Sequence, residues 1–217
     1  MDAAVNRRDP AAGNRGASGS AESVRGYAKG RATRQLILRE AVALFGEIGY
    51  RAASLREIAS RCGISHPGLL HHFASKELLL AAVLAERDAA DAERFLPPEG
   101  SGLDQLRRLV ALAEHNAAAP AIVELHATLS AEATDPDHPA HGWFVSRYAQ
   151  TRTLFRRVFE QARADGVLRP DVDPAVAATT LAAIMDGLQI QWLLDRDSVD
   201  MVAPLRDHLN RLLSVPL

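Results

Sequence analysis

The segment of residues 54–73, SLREIASRCGISHPGLLHHF, limits what this chain can fold into more than any other part of it. Ser54 and Glu57 have the spacing of a capping box, which begins a short helix. Ser65 can cap a second short helix, and Gly63 can supply the positive φ at which the first one ends. Two short helices joined by a turn of about four residues predict a helix-turn-helix.

The second helix of this unit, over residues 66–72, has the size of an element that reads DNA. At a rise of ~1.5 Å per residue it is about 10 Å long, which fits a major groove ~12 Å wide. Helical spacing predicts that Leu69 and Phe73 point inward. The residues predicted to face outward are His66, Gly68, His71 and His72. A helical hairpin inside an all-α enzyme is the alternative interpretation of this segment.

Charge is spread unevenly along the chain. Residues 1–75 contain eleven Arg and Lys against six Asp and Glu, although the formal net charge of the whole chain is −2. A basic front followed by an acidic body is typical of a protein that faces phosphate with one end. Arg31, just before the first predicted helix, belongs to a basic arm that could follow the DNA backbone. The alternative is an inert tail.

Composition and apolar patterning exclude several classes of protein. Hydrophobic residues make up 47% of the chain and charged residues 24%, which is typical of a globular protein. No apolar run approaches the roughly 18 residues of a membrane span, and the N-terminus lacks a hydrophobic signal core. The single cysteine, Cys62, excludes an intramolecular disulfide. We therefore expect a cytoplasmic protein without a membrane partner.

Helical periodicity continues along almost the whole chain, and no strand-like alternation is evident. Residues 1–26 are rich in Ala, Gly, Ser and Arg, which predicts a disordered extension. The first helix begins near residue 32 and ends at Gly49, and the fourth begins after Ser75 and ends at Pro97. Beyond it, proline, glycine and aspartate breaks separate predicted helices at 102–118, 120–133, 139–165, 174–195 and 200–214. The prediction is an all-α protein of about nine helices.

Two runs around the helix-turn-helix match a known family. They are RATRQLILREAVALFGEIGY and SLREIASRCGISHPGLLHHFASKELLL, and together they cover about residues 30–90. The H-F-x-S-K-E-x-L pattern after the second short helix is typical of the TetR (tetracycline repressor) family of bacterial transcriptional regulators, which this chain resembles. The resemblance implies a homeodomain-like DNA-binding domain at 30–90 and a helical ligand-binding and dimerisation domain at 98–217.

The resemblance also implies where the chain meets double-stranded DNA. Lys76 matches a phosphate contact at the start of the fourth helix. Leu70 stands where the family usually has an aromatic residue, often Tyr, so the phosphate contact of that hydroxyl is missing here. Imidazoles do not form the bidentate guanine contact of arginine, so we expect affinity to depend strongly on phosphate contacts. The predicted DNA-binding residues are Arg31, Ser54, Arg56, Ser65, His66, Gly68, His71, His72 and Lys76.

A homodimer on a palindromic operator is expected, because one short reading helix specifies too few bases to select a genomic site. The last two predicted helices contain apolar residues at helical spacing that could form a four-helix bundle with the partner's copies. The alternative is that these stripes face the protein's own core. The predicted interface residues are Val176, Thr180, Ile184, Leu188, Trp192, Leu205, Leu209 and Leu212.

In the family that this chain resembles, the body binds a small molecule that changes the spacing of the two DNA-binding domains. A coupling of about 1–3 kcal/mol would suffice to release the DNA. The resemblance implies an apolar or aromatic effector, and bulky side chains with a few polar groups mark its candidate pocket. Each of them could instead be an ordinary core residue. The predicted ligand-binding residues are Leu112, His115, Leu125, His126, Leu129, Trp143, Phe144, Tyr148, Phe155, Met185 and Gln189.

A metal-binding or metal-dependent catalytic protein with an incidental helix-turn-helix is the alternative function. His138 and His141 have a spacing that binds zinc when it is helical, and His115 and His126 are further candidates. The chain has no H-E-x-x-H pattern, no Gly-rich phosphate loop and no G-x-S-x-G elbow. We therefore predict a ligand-responsive repressor that is not an enzyme and needs no metal or other cofactor.

Overall fold

The computed structural model describes residues 17–95 and 99–217, with side chains for 28–86 and 99–217. The described residues form nine α-helices and no strand, with one isolated β-bridge between Leu168 and Leu213. The prediction of an all-α protein with about nine helices is confirmed. The helices are α1 (Ala17–Ala52), α2 (Leu55–Arg61), α3 (His66–His72), α4 (Lys76–Phe95), α5 (Gly102–Ala117), α6 (Pro120–Glu132), α7 (His141–Ala164), α8 (Pro174–Leu194) and α9 (Ala203–Leu212).

The first helix is longer than the sequence predicted. α1 begins at Ala17, so the described part of the predicted disordered extension, 17–26, is helical, while residues 1–16 lie outside the described residues. Extending a helix is far less costly than nucleating one, so a well-packed helix continues into a weakly helical sequence. Near the other end of α1, Gly49 has a φ of +80°. The helix is kinked there, at the residue where the sequence predicted that it ends.

Helices α1–α4 form one unit, which we call the head. One apolar face of α1 points inward, with Ile37, Leu44 and Phe45 fully buried. Leu69 of α3 and Leu79 of α4 are fully buried in the same cluster. Burying an apolar side chain of this size stabilises the fold by about 1.5–3 kcal/mol. These contacts hold α2 and α3 in place, because helices of seven residues are not stable alone.

Helices α5–α9 form a second unit, which we call the body. α5, α7, α8 and α9 share a core in which Leu106, Phe159 and Leu209 are fully buried. A capping box begins α5: Ser101 Oγ accepts from the Asp104 N–H at 3.2 Å, and Asp104 Oδ2 accepts from the Ser101 N–H at 3.3 Å. These two hydrogen bonds satisfy the backbone N–H groups of Ser101 and Asp104 at the start of the helix.

α1 of the head crosses α6 of the body at close range. No side chain separates the two helices at Gly46, where an added Cβ would lie 3.1 Å from the Leu125 backbone nitrogen. Thr128 Oγ1 donates to the Gly46 carbonyl at 3.1 Å. Leu125 and Leu129 of α6 are fully buried in the apolar cluster of the head. α6 therefore packs against both the body and the head.

No single helix in the described ranges is long and apolar enough to span a membrane. The bent pair His66–His72 and Lys76–Glu86 passes such a test by length and composition alone. Leu69, Leu79 and Leu80 of that pair are buried in the core of the head.

Candidate DNA-binding surface and regulatory body

Two side-chain caps and one glycine build the helix-turn-helix, but the predicted capping box at Ser54 is only half formed, because the Glu57 carboxylate lies 3.4 Å from Arg61 instead of bonding the Ser54 N–H. Ser54 Oγ accepts a hydrogen bond from the Glu57 N–H at 3.1 Å, and Ser65 Oγ accepts one from the Gly68 N–H at 3.1 Å. Gly63 between the two helices has a φ of +66°. A cap of this type stabilises a helix by about 1 kcal/mol. Another residue type at Gly63 would be strained, because side chains with a Cβ rarely adopt this φ.

An ion pair with two hydrogen bonds fixes α2 to α1. Arg61 Nη1 and Nη2 donate to the two carboxylate oxygens of Glu47 at 2.9 and 2.7 Å. Arg61 also lies 3.4 Å from a carboxylate oxygen of Glu57, one turn earlier on α2. A guanidinium that donates through both terminal nitrogens to one carboxylate restricts the angle between the two helices.

The predicted inward and outward faces of α3 agree with its burial. Leu69 and Phe73 are buried, and the Arg34 guanidinium lies 4.8 Å from the centroid of the Phe73 ring. His71 is exposed and His72 is half-buried, with their ring centroids 5.7 Å apart. We define the reading surface as His66, Gly68, His71 and His72.

The remaining predicted DNA-binding residues belong to α1, α4 and the beginnings of α2 and α3. Arg31 of α1 and Arg56 of α2 are exposed. Ser54 and Ser65 are exposed N-caps, whose hydroxyl hydrogens remain able to donate to an anion while the oxygens accept from the helix.

Lys76 is held against the head rather than extended into solvent. Its Nζ donates to the Arg51 carbonyl at 3.2 Å and lies 4.3 Å from the centroid of the Tyr50 ring. Burial lowers the pKa of Lys76, while Glu77 and Glu132 act in the opposite direction. The ammonium group has three N–H donors, so it can also donate to a phosphate while it keeps the Arg51 contact.

A polar cluster joins the end of α1 to the segment between α6 and α7. The Tyr50 N–H donates to Glu132 Oε2 at 2.8 Å. The Tyr50 ring meets the His138 ring edge-on at a centroid distance of 5.1 Å, and Arg51 forms an ion pair with Asp135. Burial, reinforced by a nearby carboxylate of α4, raises the pKa of Tyr50 to about 12, so its hydroxyl stays neutral. We call these five residues the junction cluster, because they connect the head to the body.

Lowering the pH is expected to destabilise the folded chain through His138. This side chain is fully buried, and its Nδ1 accepts a hydrogen bond from the Ala140 N–H at 3.1 Å, which requires a neutral ring. Burial lowers the pKa of His138 from its ordinary value of 6.5, and Glu132 opposes this effect. As the pH falls through 6.5, the unfolded ring gains a proton while the folded ring stays neutral. The free energy of unfolding should therefore decrease over this range.

Urea unfolding at about pH 7.5 and 5.5 measures this decrease. The decrease should be smaller in His138→Gln than in the parent. His71→Gln, an exposed control on α3, should lose as much as the parent. Burial also lowers the pKa of His208. This residue is present in the parent and in both variants, so it adds to the loss of stability at low pH in all three proteins. An equal decrease in His138→Gln and the parent would contradict the expectation.

Both units match known protein families. Residues 37–83 match the family model of bacterial regulatory proteins, tetR family, and residues 105–214 match that of BetI-type transcriptional repressor, C-terminal. The chain belongs to the TetR family of transcriptional regulators. As a member it is a DNA-binding regulator, in which the helix-turn-helix is the defining module rather than an incidental one. Both matching families consist of regulators, a class that is typically not enzymatic.

Individual relatives agree with this TetR-family membership. The HTH-type transcriptional repressor KstR2 of Mycobacterium tuberculosis is 32% identical over 146 residues, which cover 63% of this chain and 70% of KstR2. The A-factor receptor protein of Streptomyces griseus is 26% identical over 177 residues, which cover 80% of this chain but 60% of the receptor. Salmonella enterica GusR has a TM-score of 0.66 and 28% identity, covering 85% of this chain and 96% of GusR. A TetR-family regulator of Agrobacterium tumefaciens has a TM-score of 0.72 and 23% identity, covering 85% of this chain and 100% of its own.

The predicted ligand-binding residues of this TetR-family chain lie in several parts of the body. Leu125 and Leu129 pack in the apolar cluster of the head, and Phe155 lies in the core of the body. Met185 and Gln189 line a small cavity next to α5. The others lie on α5 or belong to an aromatic group on α6 and α7, and they are Leu112, His115, His126, Trp143, Phe144 and Tyr148.

An acidic side chain that the sequence reasoning missed contacts the aromatic group. The Tyr148 hydroxyl donates to Asp186 Oδ2 at 2.8 Å, and His126 Nε2 lies 3.4 Å from Asp186 Oδ1. The His126 and Phe144 ring centroids are 5.6 Å apart. Asp186 is the one charged residue of α8, and a lone charge in an apolar helix is the signal that could have identified it.

Part of the predicted dimer interface faces the core of the same chain. Leu205 and Leu209 of α9 are buried, and Leu212 is half-buried against the same cluster. Trp192 of α8 is also buried, with 8% exposure. For these four side chains the structure agrees with the alternative interpretation, in which they belong to the protein's own core.

The predicted stripe on α8 turns away from solvent because its members are four positions apart. Each four-residue step rotates a helix position by about 40°. The series Val176, Thr180, Ile184, Leu188 and Trp192 therefore winds from the solvent into the core. The apolar side chains that share one exposed face of α8, at 65%, 51% and 82% exposure, are Val176, Ile190 and Leu194. We call these three residues the α8 face.

Within the described residues, no group of three or more His, Cys, Asp or Glu side chains is arranged to hold a metal ion. The two histidines with zinc-like spacing make other contacts. His138 Nδ1 accepts from the Ala140 N–H, and His141 Nδ1 lies 2.8 Å from the Ala133 carbonyl oxygen. Each of these histidines thus uses one ring nitrogen in a backbone contact.

Proposed function

We propose that this chain is a repressor that binds a palindromic operator as a homodimer and releases it when a small apolar or aromatic effector occupies the body. The observation that supports the proposal most strongly is the α8 face, an apolar surface on the body of a chain whose head exposes a short DNA-reading helix.

The size of the reading surface favours two copies on one site. It consists of three imidazoles and one glycine, and a good base contact contributes about 1–3 kcal/mol of discrimination. Imidazole forms single rather than bidentate contacts, so one head discriminates weakly. A second head on a related half-site doubles the number of bases that are read.

The α8 face supplies the apolar surface that a second copy would cover. Burying such surface contributes about 25 cal/mol for each Å² removed from water. Ala183 and Gly187 lie on the same side of the helix, and no atom lies within 4 Å of the position of a Cβ at Gly187. Small residues allow a partner helix to approach closely. Two copies of α8 form the centre of the proposed interface.

Two features support release by an effector. One relative, the Streptomyces griseus protein, is named as a receptor for A-factor, and another, KstR2, is named as a repressor. The contact between α6 and α1 and the junction cluster together link the body to the head. An effector that binds one arrangement of the body more tightly than the other shifts the position of the head by this link.

Selection of bound fragments from genomic DNA tests the proposal. The expected result is a palindrome with half-sites about 10 base pairs, or a multiple of this, apart. In parallel, His71→Ala should select fragments with relaxed sequence at one position of each half-site, because it removes a base contact and leaves the phosphate contacts. The proposal fails if the parent recovers no sequence-specific fragment.

A further inference from the structure

Two buried amide side chains meet at a small cavity in the body. Asn116 of α5 is 4% exposed and Gln189 of α8 is 8% exposed, and both line this cavity. Asn116 Oδ1 and Gln189 Oε1 have no hydrogen-bond partner within the part of the chain that the structure describes. Two unpaired acceptors thus belong to side chains that come from helices far apart in the sequence and line one small cavity.

An unpaired acceptor in an apolar interior is unfavourable, because water satisfies the same atom in the unfolded chain. Packing alone does not explain why two amides lie here. Leucine and methionine have similar sizes and contain no carbonyl oxygen that would be left without a hydrogen-bond donor. Pairs of unsatisfied groups of the same kind are expected where a bound molecule supplies the missing partner. The missing partner of a carbonyl oxygen is a hydrogen-bond donor.

The rest of the cavity wall is apolar and adaptable. It includes Met185, Leu188, Met201 and Leu205. The cavity volume is about 10 Å³, which suffices for one water molecule but not for an organic ligand. Methionine is unbranched and flexible, so the two methionine side chains can move aside with less strain than branched residues can. The cavity can therefore enlarge along its apolar wall while the two amides stay in place.

We propose that this cavity is a subsite that selects a hydroxyl or N–H group of the effector, which donates to Asn116 Oδ1 or Gln189 Oε1 while its alkyl part packs on Met185 and Met201. This inference rests on the proposed effector binding and specifies its chemistry. Gln189 is on the helix that also bears the α8 face. Occupation of the subsite therefore acts on the helix of the proposed dimer interface.

Methionine-methyl NMR with two isomeric probes tests the subsite. Two of the three methionines of the chain line the cavity, so their methyl signals report on its walls. Hexan-1-ol and 1-methoxypentane have the same composition, but only the alcohol donates a hydrogen bond. We expect hexan-1-ol to shift the Met185 and Met201 signals saturably, with a Kd at least about tenfold lower than that of the ether. Equal affinities, or no shift with the alcohol, would overturn the inference.

Replacing both amides should remove the preference for the alcohol, because its one O–H donor needs only one of the two acceptors. In the double variant Gln189→Met/Asn116→Leu, the two probes should bind within about twofold of each other, whereas each single variant keeps one acceptor. Each variant should melt about 2–4 °C higher than the parent, because an unpaired buried amide is gone. Gln191→Met makes the same replacement at an exposed position of α8 and should retain both the preference and the melting temperature. A preference retained in the double variant would overturn the inference.

The probe titrations need no DNA, so they separate this inference from the proposed function. If the parent protein selects a palindrome but shows no preference for the alcohol, the donor subsite is refuted and the repressor is not. A retained preference in a protein that selects no DNA sequence would support the subsite and refute the repressor.

Discussion

Replacing Ile190 with aspartate is expected to convert the proposed dimer into monomers and to lower operator affinity by about 100-fold or more. Ile190 is 51% exposed and lies between Val176 and Leu194 along the α8 face. In a dimer through this face, the new carboxylates would lie in an apolar contact, where an unpaired charge is strongly unfavourable. Two heads that are no longer joined bind half-sites independently and lose the gain from bivalent binding.

Light scattering after size-exclusion chromatography measures the oligomeric state, and titration of the selected palindrome measures affinity. Val145→Asp is the matched control, because Val145 is 57% exposed but lies on α7. It should remain dimeric and bind DNA like the parent. A dimeric Ile190→Asp protein with parental operator affinity would be inconsistent with an interface through α8.

Replacing Gly102 with alanine is expected to destabilise the chain by about 3 kcal/mol, the upper part of the range for overpacked cores. Gly102 begins α5, and a Cβ there would lie 2.3 Å from the backbone nitrogen of Ala162 and 2.5 Å from its Cα. These are backbone atoms of α7, so no side-chain rotation relieves the clash. The Gly102 N–H also donates to Asp165 Oδ2 at 2.7 Å, and any shift that makes room would lengthen this bond.

Thermal unfolding checks this expectation, with a decrease in Tm of roughly 6–12 °C for a chain of this length. Gly142→Ala provides the control at the second residue of α7, where nothing lies within 4 Å of an added Cβ. It should be neutral or slightly stabilising, because alanine has the higher helix propensity. A Gly102→Ala protein as stable as Gly142→Ala would show that α5 and α7 can separate at little cost.

The local construction of the head could be predicted from the sequence because its causes lie within a few residues. The caps at Ser54 and Ser65 and the positive φ at Gly49 and Gly63 depend on contacts across one helical turn. The inward direction of Leu69 follows from the 3.6-residue period of the helix. The DNA contacts assigned to the exposed residues remain predictions.

Contacts between distant segments could not be predicted in this way. Tyr50 and Glu132 are separated by 82 positions, and no local pattern indicates that they meet. Lys76 matched a phosphate contact of the family, but its hydrogen bond to the Arg51 carbonyl depends on how α4 packs beside the end of α1. Asn116 resembles any polar residue near the end of a helix until its burial is known.

Apart from the start of α1, the sequence by itself determined the number, order and approximate ends of the helices and the buried side of α3, because capping, glycine conformation and helical periodicity act over short distances. Only the tertiary structure decided which faces of α8 and α9 are exposed, and that Asn116 and Gln189 share a cavity. Periodicity defines a stripe relative to the axis of its own helix. The rotation of that helix against its neighbours is set by the packing of the whole body.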